Sequence, residues 1–443
     1  MAIDEQTVSM EQVVALAKRR GFVYGSNDIY GGLSGFWDYG PLGVELKQNI
    51  KRTWWRSIVH MRDNVVGLDT TLITPPAVFA ASGHLQNFND PLVECEKCKR
   101  RFRADDIDSH VCPECGGHLS EPRQFNTMFQ THVGPVADDA SVAYLRPETA
   151  QGTFVNFRNV LQTSPRKVPF GIAQIGKSFR NEITTGNFIF RSREFEQMEL
   201  EFFVKPGTDD HWFDYWREER FRWWTQDMGI RAENLHIRDH EPSELSHYSK
   251  QTSDIEYDFP FGTRELEGVA DRTDFDLKAH IAGSGADLTY FDEEAQEKYV
   301  PYVIEPAAGV DRSFLVTLLD AFAEEQTGPK PGDRRTVLRL RPRLAPYKVA
   351  VFPLMANKPQ LVERARFLYD ALRPYFTVAW DDIGNVGKRY RRQDEIGTPW
   401  AITVDFQTLE DGTVTVRDRD TMLQQRHHVD ELLDLFRDRL GPI

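Results

Sequence analysis

FRNEITTGNFIFRSREFEQMELEFF, residues 179–203, sets arginine, phenylalanine and glutamate among apolar residues typical of β-structure. We predict an antiparallel hairpin whose strands, PFGIAQIGKSFRNEI and FIFRSREFEQMELEFF, are joined by the turn TTGN. Successive side chains of a strand alternate between its two faces. One face of the second strand then carries Arg191, Arg193, Phe195, Gln197 and Glu199, and the other carries Met198, Leu200 and Phe202. On the first strand Gln174, Arg180 and Glu182 share a face.

This combination of residue types suits a nucleotide bound next to an amine. Guanidinium forks match phosphate oxygens, a phenylalanine ring can stack on a base, and a carboxylate can bind an ammonium group. The alternative is a solvated face of ion pairs, which is common on sheets and helices. The residues alone leave both interpretations open.

The bulk properties describe a large acidic protein. With 443 residues the chain can form two or three domains, and its net charge is −14. That charge argues against wholesale, non-specific binding of nucleic acid, although it permits a local basic surface. The sequence has no secretory signal pattern and no apolar run long enough to cross a bilayer, so we expect a cytoplasmic protein that does not act at a membrane.

The four cysteines form one cluster, Cys95-x2-Cys98-x13-Cys112-x2-Cys115, within an insertion at about 90–120. Paired CxxC knuckles at this spacing predict a structural zinc site rather than disulfides, because four thiolates leave no open position on the metal. The alternative is a knuckle that has lost its metal. His110 and His118 are expected to be bystanders.

The rest of the chain divides into a larger N-terminal and a smaller C-terminal part. Residues 41–61 predict a helix, 64–76 a strand ending at the proline pair, and 210–228 an aromatic helix that packs in a core rather than against RNA bases. Residues 331–344 lie in a linker rich in proline, glycine and arginine. We expect domains at 1–330 and 345–443, the second a small α/β unit with a mostly parallel sheet.

Three stretches resemble the sequence motifs of class II aminoacyl-tRNA synthetases. Arg180-x-Glu182 followed by Arg191-x3-Phe195-x3-Glu199 resembles motif 2, residues 41–76 resemble motif 1, and GVDRS at 309–313 resembles motif 3. Within that class the chain is similar to the homodimeric glycyl-tRNA synthetases from residue 21 to about 400. The matching stretches are GFVYGSNDIYGGLSGFWDYGPLG, SGHLQNFNDPL, LRPETAQGTF, ELEGVADRTDFDLKAH, PYVIEP and KRYRRQDEIGTPW.

The resemblance implies a fold and a reaction. The catalytic domain would be α+β, an antiparallel sheet flanked by helices, followed by a C-terminal α/β domain that binds the anticodon. The enzyme would be an AMP-forming glycine–tRNA ligase and a homodimer. Glycine and ATP, with Mg²⁺, would give glycyl-adenylate, and the glycyl group would then pass to the 3′ end of tRNA-Gly. Catalysis would rest on positioning and charge stabilisation, without a covalent enzyme intermediate.

The resemblance also implies roles for individual residues, with Arg180 and Arg312 as the catalytic pair. The expected ATP-binding residues are Arg180, Asn181, Glu182, Phe190, Arg191, Phe195, Glu265, Leu266, Gly309, Asp311 and Arg312, with Glu265 on the Mg²⁺ side. The expected glycine-binding residues are Arg103, Glu148, Gln197, Glu199, Glu305 and Ala307. The chain departs from the family pattern at Ala307, where serine is common, so a hydroxyl contact to glycine is missing there.

Basic residues in the C-terminal part predict contact with tRNA. They are Lys388, Arg389, Arg391 and Arg392, and an alternative interpretation is ordinary solvated helix surface. The arginines of the linker, Arg334, Arg335, Arg339, Arg341 and Arg343, leave the same two options open. Two other functions are considered: a class II synthetase for threonine, proline or histidine, and a non-catalytic nucleic-acid-binding descendant of the fold, similar to a polymerase accessory subunit.

Overall fold

A computed structural model describes residues 8–107, 109–246, 248–329 and 332–441 of the chain. Its centre is a sheet of seven strands, in which all neighbours are antiparallel except Val65–Gly67, which pairs parallel with Phe170–Phe179. In spatial order the strands are Leu235–Asp239, Gln251–Phe259, Gly262–Thr273, Tyr302–Gly309, Glu194–Val204, Phe170–Phe179 and Val65–Gly67. The expected antiparallel sheet is therefore confirmed.

Helices cover both faces of this sheet. Met198, Leu200 and Phe202 are buried against helices that include Pro41–Trp55, Asp209–Arg222 and Val310–Ala321, as the alternation of strand side chains predicts. The opposite face packs Phe203 against the helices Ala150–Thr163 and Phe275–Ser284. The remaining α-helices of the described residues are Met10–Arg20, Pro76–Ala81, His84–Asn87, Pro359–Leu372, Val386–Ile396, Phe406–Asp411 and Leu432–Leu440. No helix in the described ranges is long and apolar enough to cross a membrane.

Smaller sheets complete the N-terminal part. The predicted strand at 64–76 is two short strands, Val65–Gly67 and Ile73–Thr74, which belong to different sheets. The cysteine segment forms its own three-stranded sheet from Asn89–Glu94, Arg101–Arg103 and Arg123–Asn126. The other short strands are Val23–Gly25, Trp37–Tyr39, Gln130–His132, Val142–Leu145, Tyr290–Asp292 and Glu297–Tyr299.

The two strands of the predicted hairpin pair as expected, but the predicted tight turn between them is wrong. The strands Phe170–Phe179 and Glu194–Val204 do pair antiparallel, with Gln174 opposite Glu199. The segment 180–193 between them is a long loop with a short 3₁₀ turn at Phe188–Phe190, so Arg180, Glu182, Arg191 and Arg193 do not lie on strands. Arg193 was predicted on the binding face of the second strand, but it has a structural role. Its guanidinium donates to the carbonyls of Glu182 at 2.8 Å and Ser34 at 2.7 Å.

The predicted aromatic helix is confirmed as a core element. It runs as Asp209–Arg222 and continues as a π-helical turn, Trp223–Met228. Trp216, Trp223 and Trp224 are buried. Arg220 and Trp224 each donate to the carboxylate of Glu267 at 2.6 Å, and Glu267 is fully buried on the Gly262–Thr273 strand. This buried ion pair joins the helix to the central sheet.

Glu267→Met should therefore destabilise the N-terminal part strongly. Removing one partner leaves the Arg220 guanidinium buried without a counter-ion, which costs ~3–5 kcal/mol of the free energy of unfolding. Urea unfolding followed by tryptophan fluorescence measures this loss. Glu218→Ala, on the exposed side of the same helix, is the control and should change the free energy by less than about 0.5 kcal/mol. A loss below about 1 kcal/mol for Glu267→Met contradicts the assignment.

The C-terminal part is an α/β unit with a five-stranded sheet. Its strands, in spatial order, are Val378–Trp380, Val349–Pro353, Trp400–Val404, Thr413–Asp418 and Gln424–His428. The first three are parallel, as predicted, and the last two add an antiparallel hairpin that we did not predict.

The predicted linker at 331–344 is not an irregular connection. Arg334–Leu338 is a strand that pairs antiparallel with Phe322–Gln326, while the proposed boundary at 330 and 331 lies outside the described residues. Arg335 is buried between Glu325, at 2.7 Å, and Asp394, at 3.0 Å. These ion pairs give Arg335 a structural role and connect the two parts of the chain.

Candidate active site

One cavity of about 420 Å³ on the central sheet gathers most of the predicted site residues. Those in its lining are Arg103, Glu148, Arg180, Glu182, Phe190, Arg191, Phe195, Gln197, Glu199, Glu265, Glu305, Ala307, Gly309, Asp311 and Arg312. Asn181 and Leu266 do not line it, and the Leu266 side chain is buried in the core. A larger, more open cleft of about 660 Å³ beside Arg62 contains none of the predicted residues.

Arginines and aromatic rings occupy one half of the cavity. The Arg180 guanidinium lies over two rings, 5.2 Å from the centroid of Phe88 and 5.5 Å from that of Phe195, and its Nε donates to the Pro147 carbonyl at 3.0 Å. Arg312 stacks at 4.4 Å over Phe190 and forms an ion pair with Glu265 at 3.1 Å. These contacts fix two cationic groups beside flat apolar surfaces.

The carboxylate of Glu182 lies at the same end of the cavity and is a buried hydrogen-bond acceptor. Its Oε2 accepts no hydrogen bond from the described residues, and burial raises the pKa of its carboxyl while Arg191 and Arg180 oppose that shift. A buried acceptor without a donor is costly. A donor group on a ligand, such as an exocyclic amine, would satisfy it.

The expectation for Asp311 changes once its contacts are known. Its carboxylate accepts hydrogen bonds from the Tyr39 hydroxyl, from Lys47 Nζ at 3.2 Å and from the backbone N–H of Glu196 at 2.8 Å. These three donors tie together the helix Pro41–Trp55, the helix Val310–Ala321 and the start of the Glu194–Val204 strand. Asp311 therefore supports the cavity wall, and its carboxylate is committed to protein donors.

Carboxyl groups dominate the other half of the cavity. Glu199 accepts hydrogen bonds from Gln197 Nε2 at 2.5 Å and from the Thr149 backbone N–H at 2.9 Å. Glu305 Oε2 accepts from Arg272 Nη1 at 3.0 Å. Glu148, Glu199 and Glu305 are all buried, so they concentrate negative potential in a small volume.

The carboxyl groups differ in their proton affinity. Burial, followed by the charges of Glu305 and Glu148, raises the pKa of Glu199 to about 8. Burial alone would also raise the pKa of Glu148, but His84, with Nε2 at 3.1 Å, and Arg272 together lower it below its ordinary value. Near neutral pH the cavity thus holds at least one carboxylate and at least one protonated carboxyl.

Several residues of this cavity were missed by the sequence analysis. They are His240, Ser246, Tyr248, Ser249, Thr252, Asp254, Gly268, Ala270 and Ala308. Arg272, directly beneath the carboxyl groups, was also missed, although it lies within a stretch that carries the family resemblance. It is 1% exposed, pairs with Asp276 at 2.7 Å and stacks 3.8 Å from the ring centroid of Tyr248. Only the spatial neighbourhood identifies it, because its partner Glu305 is distant in sequence.

The four cysteines come together as expected for a tetrahedral site. Their sulfur atoms lie within 4.8 Å of one another, with Sγ–Sγ distances of 3.5 Å for Cys95–Cys115 and 3.7 Å for Cys98–Cys112. A tetrahedral zinc with Zn–S bonds of about 2.3 Å requires sulfur separations of about 3.8 Å. The donor set therefore fits one zinc ion with four thiolates.

The predicted basic cluster on the helix Val386–Ile396 is only partly available to a partner. Lys388 and Arg391 are exposed. Arg392 is held by both oxygens of Asp381, at 2.7 and 2.8 Å. The prediction that Arg389 contacts tRNA is wrong, because this side chain is 1% exposed and its guanidinium donates to the carbonyls of Pro353, Asp382 and Gly384.

Comparison with known proteins gives consistent matches along the chain. Residues 134–322 match the family model described as tRNA synthetase class II core domain (G, H, P, S and T), and residues 348–439 match the anticodon binding domain. A protein named glycine–tRNA ligase from Streptomyces coelicolor is 55% identical over 97% of this chain and 98% of its own length. Proteins of the same name from Thermobifida fusca and Treponema denticola are 53% and 52% identical, over 98% and 97% of this chain and the same shares of their own lengths.

Proposed function

The chain belongs to the glycine–tRNA ligase family, and we infer from this that it activates glycine with ATP and transfers the glycyl group to the 3′ end of tRNA-Gly. The observation that carries the inference for this chain is a cavity in which an arginine and aromatic half meets a carboxylate half. Such a cavity suits the two substrates of adenylate formation, a nucleoside triphosphate and an amino acid with a free ammonium group. Neither alternative function is favoured.

We assign the arginine half to ATP. Arg180 would bind the α-phosphate, where negative charge builds up in the transition state, and Arg191 and Arg312 would hold the outer phosphates. Phe195 would stack on adenine, and Glu182 would accept a hydrogen bond from the adenine amino group. The protein then contributes positioning and electrostatic stabilisation, and no side chain forms a covalent bond to the substrate.

We assign the carboxylate half to glycine. Glu148, Glu199 and Glu305 would face its ammonium group, with Gln197, Ala307 and Arg103 at the edges. Favourable contacts with one methyl group change the binding free energy of an amino acid by only ~1–3 kcal/mol. A steric clash can exclude an amino acid with a larger side chain more effectively. Ala307 donates no side-chain hydrogen bond, so selection of glycine would rest on the carboxyl groups.

Mg²⁺ is the expected metal of this reaction, and two carboxylates at the phosphate end fit it. Glu265 is one, and Asp254, whose pKa is raised by burial and then by the charge of Glu265, is the second. Oxygen donors of this kind suit a hard cation. Bound there with ATP, Mg²⁺ would neutralise phosphate charge, and Arg180 and Arg312 would orient the phosphates.

The ionisation of Glu199 should make glycine affinity depend on pH. Because the ammonium group prefers the charged carboxylate, and the pKa of Glu199 is about 8, glycine binding must displace a proton below that pH. We expect KM for glycine to fall as pH rises from 6, by up to about tenfold per pH unit, and to level off above about 8. Glycine-dependent exchange of pyrophosphate into ATP measures this. Glu199→Gln should lose the dependence, and a pH-independent KM in the wild type would contradict the assignment.

The cysteine cluster should hold about one zinc ion per chain. Elemental analysis of Cys112→Ser should show loss of the metal, and its Tm should fall because the insertion loses its cross-link. His118→Ala is the matched control, because His118 lies in the insertion but outside the thiolate set, and it should keep both metal and Tm. A wild-type protein purified without metal and unaffected by added zinc would argue for a knuckle that has lost its site.

Further partners follow from the same family. We propose tRNA-Gly as the nucleic-acid partner, with residues 345–443 at its anticodon and with Lys388, Arg391 and Arg392 near its backbone. A homodimer, formed through the region of the helix Pro41–Trp55, and a cytoplasmic location complete the proposal.

Charging of tRNA tests the proposed function. Incubation with labelled glycine, ATP and Mg²⁺ should attach glycine to tRNA-Gly, and tRNA-Pro should remain uncharged. Charging of tRNA-Pro with proline, or charging of neither tRNA by folded protein, would contradict the proposal.

A further inference from the structure

Glu201 lies next to the proposed glycine site without lining it. It shares the Glu194–Val204 strand with Glu199, two residues away on the same face, and it is 1% exposed. The register of the neighbouring strand pairs Glu199 with Ala307 and Phe202 with Ile304, which places Glu201 directly across from Glu305. Residues opposite each other on antiparallel strands have Cβ atoms about 4.5–5.5 Å apart, so these two carboxyl groups meet.

The Glu201 carboxyl is poorly satisfied by the part of the chain that the structure describes. Neither of its carboxyl oxygens accepts a hydrogen bond from the described residues, and on its other side the strand pairs it with the apolar Ile172. Arg272 Nη1 donates to Glu305, while its Nε and Nη2 donate to Asp276. An ionised and unpartnered carboxylate at this depth would carry a large desolvation cost.

The charges around Glu201 and Glu305 also disfavour ionisation of both carboxyl groups. The ionisable groups facing it are Glu199 on the same strand, Glu305 opposite, Arg272 and Asp276 beneath, and Glu148, which lies beside His84 and Arg272. Burial and then the charge of Glu305 raise the pKa of Glu201 well above its usual range. Two adjacent buried carboxyls of this kind share one proton rather than ionising together.

We propose that Glu201 is a positioning residue of the glycine site: its protonated carboxyl donates a hydrogen bond to Glu305 and thereby holds Glu305 ionised and oriented towards the substrate ammonium group. This rests on the proposed function, which places the ammonium group beside Glu305. Glu305 is then anchored from two sides, by Arg272 and by Glu201. The arrangement supplies an oriented anion at Glu305 without adding a further charge that the single ammonium group could not balance.

Kinetics of three variants test the role. Glu201→Leu removes the donor while keeping an apolar side chain of similar size, and we expect KM for glycine to rise about tenfold or more, with KM for ATP within about twofold of wild type. Glu201→Gln keeps an N–H donor in place of the acid O–H, and its KM for glycine should stay within about threefold of wild type. Glu194→Leu, which breaks an exposed ion pair with Lys177 on the same strand, controls for loss of a glutamate.

An infrared measurement reports the proton itself. The difference spectrum between wild type and Glu201→Gln should contain the carbonyl stretch of one protonated carboxylic acid at neutral pH. Its absence would overturn the proposal, and so would a Glu201→Gln variant whose KM for glycine rises as much as that of Glu201→Leu, because Glu201 would then act as an anion. An unchanged KM for glycine in folded Glu201→Leu would also overturn it.

Failure of the proposed function is distinguishable from failure of this inference. If wild-type protein catalyses no glycine-dependent exchange, the proposed function fails and the positioning role fails with it, whatever the infrared result. If wild-type exchange is normal and the infrared band is absent, only the inference about Glu201 fails. If Glu201→Leu does not fold, Glu201→Gln and the infrared spectrum still decide the outcome.

Discussion

Arg180→Gln is expected to reduce kcat for glycine-dependent exchange of pyrophosphate into ATP by about 10²–10³-fold, with a much smaller change in KM for ATP. The guanidinium contacts the rings of Phe88 and Phe195 and is anchored by the Pro147 carbonyl, so its charge is in place before the reaction begins. Removing one preorganised group that stabilises developing charge typically costs this much in rate. Arg180→Lys should recover only part of the rate, because a point charge lacks the planar fork.

The control for this prediction is Arg217→Gln. Arg217 lies on the helix Asp209–Arg222 and pairs with Asp214 at 3.0 Å, outside the cavity lining. Its removal should leave the exchange rate close to that of the wild type. A folded Arg180→Gln protein with more than about one tenth of wild-type kcat would contradict the placement of Arg180 at the reacting phosphate.

Glu305→Gln is expected to raise KM for glycine by about 10²-fold or more. Glu305 is buried, which raises the pKa of its carboxyl, and its ion pair with Arg272 at 3.0 Å opposes that shift and orients the charge in the glycine half of the cavity. Removing one charge from a buried, hydrogen-bonded pair costs ~2–5 kcal/mol. KM for ATP should change little, because the arginine half of the cavity is untouched.

The comparison with Glu201→Gln makes the second prediction specific. Glu201→Gln makes the same chemical change at the residue directly opposite Glu305. It should raise KM for glycine only slightly, because Glu201 is proposed to be neutral already. Equal effects of the two substitutions on KM for glycine would contradict the assignment of the substrate-facing charge to Glu305. A stability measurement on both variants separates misfolding from loss of binding.

Much of the central sheet could be predicted from local pattern. Alternation in Glu194–Val204 correctly buries Met198, Leu200 and Phe202. Residues 180–183 and 188–193 were predicted as strand on either side of the turn at 184–187, and only the contacts of Arg193 with Glu182 and Ser34 reveal the irregular path. Long-range contacts of this kind leave no local signal.

Arginine was the residue type whose role sequence alone predicted least well. Arg335 and Arg389 look like parts of basic surface clusters, yet both are buried, one by Glu325 and Asp394 and the other by backbone carbonyls. A guanidinium can be buried when its donors are satisfied, and those partners come from distant parts of the chain. Arg272 shows the same effect at the site itself, where its role depends on Glu305 across the sheet.

The most direct test of the central claim is exchange of pyrophosphate into ATP, measured without tRNA in the presence of glycine, alanine, serine, threonine or proline. The account predicts exchange with glycine alone, because the chain belongs to the glycine–tRNA ligase family and buried carboxyl groups dominate the half of the cavity proposed to bind the ammonium group. Exchange with a different amino acid would keep the fold and contradict the carboxylate pocket. Absence of exchange with every amino acid, from folded protein supplied with Mg²⁺, would contradict the catalytic function.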